Sequence, residues 1–349
     1  MSSVLKDILF DRRGAAGIIT LNRPQALNAV THDMVRALAK KLREWAADPA
    51  VTRVIIKAAG ERAFCAGGDI RDLYELGRAG RQAEALNFWR DEYPLNALIK
   101  HFRKPYVALI DGIVMGGGVG ISVHGSHRVA GDRFQFAMPE VGIGFFPDVG
   151  ATYFLPRLPG KLGTFCALTG ERLGAADGVA AGIATHRVRS ARFLDLLEAL
   201  CGTTPVDAML AAFAEPAGEA PVMARGSLID RVFAGDRVED ILAALDGVTA
   251  GTNWAEATAA KIRANSPSSL KIALRQMRIG GGLSFDECMR VEFRIVSRIV
   301  NGHDFYAGVR AVVIDKDNAP QWQPPALAQV SDAEVERHFA PLGADELVL

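Results

Sequence analysis

Short, continuously apolar runs alternate with helical periodicities over the first half of the chain. Gly17-Ile18-Ile19-Thr20-Leu21 reads as a buried strand, and Asn22-Arg23-Pro24 ends it, because proline cannot donate to a sheet ladder. Thr31 is placed to cap a helix, with Asp33 at its positive end. Met34, Val35, Leu38, Leu42 and Trp45 then recur at helical spacing as far as Asp48-Pro49. Val54-Ile55-Ile56 is a second strand whose unbroken apolar run predicts cover on both faces. Tyr106 to Ile110, Arg128-Val129-Ala130 and Phe134-Gln135-Phe136 continue the strands, and Gly116 to His124 reads as a helix start. This alternation predicts an α/β core with functional loops at strand ends. From about Ala191 long helical patterns take over, such as Leu270 to Met277 and Phe285 to Val300. The change of pattern predicts a first domain over residues 1–205 and a mainly helical region over 206–349.

Composition narrows the function. With 49% apolar residues in 349, the chain can bury a large core. Its 40 basic and 40 acidic residues cancel, so no global field attracts nucleic acid or an anionic membrane. A local basic pocket for a phosphorylated ligand stays open. The longest apolar stretch, Tyr106 to Val123, is interrupted by Asp111 and holds five glycines, which suits a buried strand and turn better than a membrane span. Cys65, Cys166, Cys201 and Cys288 form no C-x-x-C pair, which argues against a disulfide framework or zinc site and for a reducing compartment. The first residues lack the apolar run of a signal peptide and the Arg/Ser richness of a transit peptide, so a cytoplasmic location is expected.

Three motifs carry candidate chemistry. Phe64-Cys65-Ala66-Gly67-Gly68-Asp69-Ile70 follows the second strand, and Asp111-Gly112-Ile113-Val114-Met115-Gly116-Gly117-Gly118-Val119-Gly120 follows the third. Glycines at a strand-to-helix turn let backbone amides approach a ligand, and the first amides of a helix are unpaired. Two such amides from separate turns can converge on one carbonyl oxygen as an oxyanion hole. Tight turns and close packing are the alternative for either run taken alone. The third motif is Phe136-Ala137-Met138-Pro139-Glu140, followed by Phe146-Pro147-Asp148. Both carboxylates have apolar neighbours, and burial raises a carboxyl pKa towards the range of a usable base. A helix-start glutamate and a turn aspartate are the plain structural readings.

Other chemistries fail on spacing. His124 stands where a G-x-S-x-G elbow needs its last glycine, and His124 and His127 lack the pairing of a zinc-protease helix, so a surface or core-edge role is expected for both. Gly160-Lys161 lacks the Ser or Thr and the earlier glycine of a P-loop.

In this order, and with Leu168-Thr169-Gly170-Glu171-Arg172-Leu173 and Gly182-Ile183-Ala184-Thr185-His186, the motifs resemble the crotonase, or enoyl-CoA hydratase/isomerase, superfamily. The resemblance implies a spiral of repeated ββα units with a helical C-terminal region, assembled as a homo-oligomer, a trimer or hexamer. It implies that the amides of Gly68 and Gly117 bind a thioester oxygen and that Ala66, Gly67, Asp69 and Ile70 lie along coenzyme A (CoA). The CoA enters as part of the substrate, and no separate cofactor or metal is implied.

Hydratases of this pattern use two glutamates. One matches Glu140; the other falls at Gly120, which cannot hold a water, and a carboxylate stands instead at Asp148. This combination resembles the thioester-hydrolase branch of the superfamily, which acts on short β-hydroxyacyl-CoA. Further matches to that branch are Asp91-Glu92-Tyr93-Pro94-Leu95-Asn96, Lys104 to Leu109, Ser266 to Lys271, Gly302-His303-Asp304-Phe305, and Ile314 to Asp317 with Trp322. The branch implies that Glu92, Gly117, Glu140 and Asp148 line the substrate site, with Glu140 as nucleophile or general base. Arg310 and Lys316 are candidates to meet CoA phosphates. An enoyl-CoA hydratase or isomerase and a non-catalytic acyl-CoA-binding module are the competing expectations.

Overall fold

The computed structural model describes residues 4–248 and 253–349, with side chains from Lys6 onward. Residues 1–3 and 249–252, the remainder of the two sequence-derived domains, lie outside the described residues. The chain forms two compact units that interleave in sequence. One comprises Met1–Asp69, Pro94–Ala137 and Arg172–Ala224; the other comprises Ile70–Tyr93, Met138–Glu171 and Arg225–Leu349. The line drawn near residue 205 is therefore not where the units divide.

Every described strand lies in the first unit. β1 (Ile8–Arg13), β2 (Ala16–Leu21), β3 (Arg53–Ala58), β5 (Tyr106–Ile110), β7 (His127–Ala130) and β10 (His186–Arg187) make a six-stranded sheet in that order. β1 and β2 are antiparallel and the other neighbours parallel. β4 (Ala63–Cys65), β6 (Ile113–Met115), β8 (Gln135–Ala137) and β9 (Leu173–Gly174) make a second sheet. The chain visits the sheets alternately: β3 then β4, β5 then β6, β7 then β8. Each pair places one strand in each sheet, which is the repeated ββ element of a spiral of ββα units.

β2, β3 and β5 of the larger sheet are buried on both faces, which their unbroken apolar runs predicted. One face carries Ala16, Ile18, Ile55, Val107, Leu109 and Val129 against Leu196, Leu197 and Leu200 of the helix Phe193–Cys201 and against Val206 and Leu210 of the helix Val206–Phe213. This packing draws residues beyond 205 into the sheet unit. The helix His32–Ala47 begins as expected: Thr31 Oγ1 accepts from Met34 N at 3.3 Å, a cap worth about 1 kcal/mol.

The second unit is helical. Its helices include Ile70–Arg78, the first part of Gln82–Lys100, Pro267–Gly280, Phe285–Ile299 and Asp332–Phe339. Ser266 caps Pro267–Gly280, with Pro267 at the first helical position, where its missing N–H leaves no bond unmade. Ser284 and Glu287 close a reciprocal capping box at the start of Phe285–Ile299. Among the described residues, no helix is long and apolar enough to cross a membrane.

Candidate active site

In the sheet unit, parallel pairing sets the two glycine turns side by side. β4 runs parallel to β6, with Cys65 opposite Val114, so the turns that follow both strands leave from the same sheet edge. Gly118 presses against the first turn: a Cβ there would lie 2.4 Å from the Cys65 carbonyl oxygen. Only glycine permits this approach, so the glycine run fixes the spacing of the two turns.

The first turn is held by a parallel bridge between Val30 and Gly68. Val30 N donates to Gly67 O at 2.9 Å, and Asp69 N donates to Val30 O at 2.9 Å. These bonds use the residues on either side of Gly68 and leave the Gly68 amide directed away from the bridge. In the second turn Gly116 is the N-cap of a four-residue helix, Gly117–Gly120. Gly117 is the first helical residue, and its amide has no intrahelical acceptor by geometry.

Two residues without a sequence-assigned role brace this region. Buried Asn28 donates through Nδ2 to Ala59 O and Ala63 O, each at 2.9 Å, and its Oδ1 accepts from Arg23 N at 2.8 Å. Arg23 Nη2 pairs with Asp69 Oδ2 at 2.9 Å. Asp69 is thus held within the turn, where Ala66 and Gly67 also lie; Ile70 opens the helix Ile70–Arg78 of the other unit.

In the helical unit, the fold gathers the carboxylates. Glu92 lies on the helix Gln82–Lys100, Glu140 starts the 3-10 turn Glu140–Ile143, and Asp148 precedes the left-handed pair Val149 (φ 51°) and Gly150 (φ 93°). They are 1%, 7% and 5% exposed, which rules out solvated surface acids. A fourth carboxyl, fully buried Glu292 on the helix Phe285–Ile299, joins them. It accepts from Gly150 N at 2.8 Å and Thr152 N at 2.9 Å, so it anchors the turn that follows Asp148. Gln276 adds bonds to Pro147 O at 3.0 Å and Thr152 Oγ1 at 2.7 Å. Tyr93 O–H donates to Asp148 Oδ2 at 2.9 Å, and the Trp89 side chain bonds the same carboxylate.

Burial dominates the electrostatics. It pushes Asp148 up to about 7, against the opposing bonds from Tyr93 and Trp89. Burial, then the charge of Asp148, pushes Glu292 up to about 8. The same causes hold Glu140 well above the usual carboxylate range. Glu92 is raised likewise by burial, then by Asp148 and Glu292. Acids crowded in low dielectric titrate together, and near neutral pH they share protons rather than all ionising. Two of their oxygens, Glu140 Oε2 and Glu92 Oε1, are buried without a hydrogen-bond partner. A buried acceptor in that state is costly and ready to engage a substrate group or attack it.

Sequence reading identified Glu92, Glu140 and Asp148 but missed Glu292, Tyr93 and Trp89. A glutamate among Cys288, Met289, Ile295, Val296 and Ile299 on the apolar face of its helix is the signal that points to Glu292. His124 is buried, and His127 Nε2 lies 2.9 Å from Asp207 Oδ1. Arg310 is neutralised by Asp315 and Asp317, each at 2.7 Å, while Lys316 is exposed in the left-handed backbone region.

Residues 16–339 match the family model for enoyl-CoA hydratase/isomerase. A Danio rerio protein named 3-hydroxyisobutyryl-CoA hydrolase, mitochondrial, is 47% identical over 98% of this chain and 92% of its own length. The Homo sapiens protein of that name is 44% identical over 98% and 90%. A solved structure described as a carnitinyl-CoA dehydratase from Mycobacterium thermoresistibile superposes with a TM-score of 0.93 at 43% identity, covering 98% of each chain. One described as an enoyl-CoA hydratase from Rhodobacter sphaeroides gives 0.92 at 40%, covering 98% of this chain and 100% of that one.

Proposed function

Because the chain belongs to the enoyl-CoA hydratase/isomerase family, we propose that it hydrolyses a short β-hydroxyacyl-CoA thioester, 3-hydroxyisobutyryl-CoA, to 3-hydroxyisobutyrate and CoA. The observation that carries this reading is the buried Glu140 with an unpartnered oxygen in a cluster with Asp148, while the position of a second hydratase glutamate holds Gly120. The naming of full-length relatives as 3-hydroxyisobutyryl-CoA hydrolases supports it.

In this reading the thioester oxygen lies against the amides of Gly68 and Gly117, which stabilise the tetrahedral oxyanion by about 3–4 kcal/mol per donor. Ala66, Gly67, Asp69 and Ile70 run along the CoA. Glu140 acts in one of two ways. As a nucleophile its carboxylate oxygen bonds the acyl carbon, the C–S bond breaks, and water then hydrolyses the anhydride. As a base it takes a proton from water, whose oxygen bonds the acyl carbon while CoA thiolate leaves. Asp148 holds the water or the substrate hydroxyl, and Glu92 contacts the acyl end. The raised carboxyl pKa values keep protons within the cluster, ready to neutralise the departing thiolate.

A hydratase reading is favoured by the descriptions of the two solved structures. It needs a second carboxylate for its water, and Gly120 offers none. The test follows thiol release and the conjugated enoyl absorbance in parallel over a set of short acyl-CoAs. Thiol release from 3-hydroxyisobutyryl-CoA supports the hydrolase; enoyl absorbance lost without thiol would overturn it.

Assembly as a trimer or hexamer is part of the proposal, carried by family resemblance and tested by light scattering. So is a reducing compartment, supported by four cysteines that form no C-x-x-C pair. The cytoplasmic placement is our sequence reading and stands against the mitochondrial naming of the vertebrate relatives; cell fractionation decides between them.

A further inference from the structure

Within the helical unit lies a cavity of about 180 Å³ that none of Glu92, Glu140, Asp148 or Glu292 lines. Its apolar lining includes Ile272, Ile299, Phe305 and Val335, and its polar lining includes Arg298, His303, Asp304, Glu334 and His338. Gly144 and Phe305 place it beside the proposed catalytic cluster. Gly144 ends the turn that starts with Glu140, and the Phe305 ring lies 5.7 Å from Phe145.

Accounting for donors and acceptors gives the cavity its character. Its acids are engaged. Asp304 accepts from Ser266 Oγ at 2.6 Å and from Gln323 N at 2.7 Å. Glu334 accepts from Ser331 N and Oγ, both at 2.9 Å, and has Arg337 3.7 Å away. Its donors are not. Arg298 Nη1 reaches the carbonyls of Arg294 at 3.0 Å and His338 at 3.2 Å, and Nη2 reaches only Pro341 O at 3.5 Å. Among the described residues no carboxylate lies within ion-pair distance of Arg298. Burial, and then the charge of Arg294, disfavour its cation against the opposing charge of Glu346, and a bound anion would favour it. His338 commits Nδ1 to Glu334 O at 2.9 Å, and His303 commits Nε2 to Gln321 O at 2.8 Å. His338 also bonds the Val335 backbone, while the second nitrogen of His303 has no protein partner among the described residues.

We propose that this cavity binds a small organic carboxylate, its charge on the Arg298 guanidinium and its hydrocarbon part against Ile272, Ile299 and Phe305. A guanidinium pairs with a carboxylate through a planar fork of donors. The volume corresponds to about six water volumes, hence about six non-hydrogen atoms, which excludes CoA. Inorganic phosphate satisfies the charge but gains nothing from the apolar lining.

The test is calorimetric titration of the full chain with isobutyrate, a six-atom probe, and in a second arm with inorganic phosphate. Arg298→Gln removes the charge, and Ser268→Phe fills the cavity from its lining. Glu140→Gln alters the proposed catalytic cluster alone. Wild type and Glu140→Gln should bind isobutyrate with equal affinity and phosphate more weakly. Arg298→Gln should weaken isobutyrate by about tenfold or more, and Ser268→Phe should abolish binding. Circular dichroism melts check folding, and Ser268→Phe decides the matter should Arg298→Gln fail to fold. Thiol release by Arg298→Gln at the wild-type rate separates this outcome from any failure of the hydrolase reading. Tighter binding of phosphate, unchanged affinity in both cavity variants, loss in Glu140→Gln, or no isobutyrate binding by wild type would overturn the proposal.

Discussion

Gly118→Ala tests whether the spacing of the two glycine turns supports catalysis. A Cβ at Gly118 would stand 2.4 Å from the Cys65 carbonyl oxygen and 2.8 Å from Cys65 Cβ. Real Cβ contacts essentially never fall below 3.0 Å, so the turns must part by about 0.6 Å, the difference between 3.0 and 2.4 Å. Relief by a side-chain rotation is closed off, because the nearest atom is backbone. Strain of this kind in a packed interior costs about 1–3 kcal/mol of stability. The larger effect falls on rate. Oxyanion donors act only when held near the charge that develops, and a misplacement approaching 1 Å costs about a hundredfold. We expect kcat for thiol release to fall by about 10²-fold, with CoA affinity changed far less. Stopped-flow thiol detection gives kcat, and calorimetry with CoA gives the affinity. A folded Gly118→Ala protein with kcat within about twofold of wild type would refute the reasoning.

Two further predictions concern the carboxylate cluster. Glu292→Ala leaves the Gly150 and Thr152 amides without their acceptor and should cost about 2–6 kcal/mol in urea unfolding, since each buried orphan costs about 1–3 kcal/mol; a loss below about 1 kcal/mol contradicts the anchoring role. Tyr93→Phe removes a bond that favours the charged form of Asp148, so that carboxyl should rise further above about 7. The pH–rate limb it governs should move to alkaline pH by about one unit; an unmoved or acid-shifted limb counts against the assignment.

β2, β3 and β5 were legible because both their faces are covered, so each appears as an unbroken apolar run, whereas β1, mostly exposed, shows none. β4 and β6, three residues each, are too short for any period to show. The helix Gln82–Lys100 escaped because Pro94 lies inside it, where proline ordinarily argues for a break. The helix expected from Gly116 to His124 stops after Gly117–Gly120. Its glycines resist helix, and Ser122 Oγ turns back to Gly118 O at 2.6 Å. Interleaving of the units was not legible either, because contacts decide it. The Glu140 turn packs on the Asp304 carbonyl through Gly144, some 160 residues later. At the site, glycine runs and carboxylates in an apolar context were visible as local patterns. Glu292 and Tyr93 act through partners distant in sequence, which no local pattern records.

The most direct measurement is thiol release from 3-hydroxyisobutyryl-CoA by wild type and Glu140→Gln, with CoA binding measured on the same preparations. Glu140→Gln keeps the shape of the side chain and removes the group that attacks or takes a proton. Release should fall by about 10²–10⁴-fold while CoA still binds. Release undiminished in a folded Glu140→Gln protein would contradict the account.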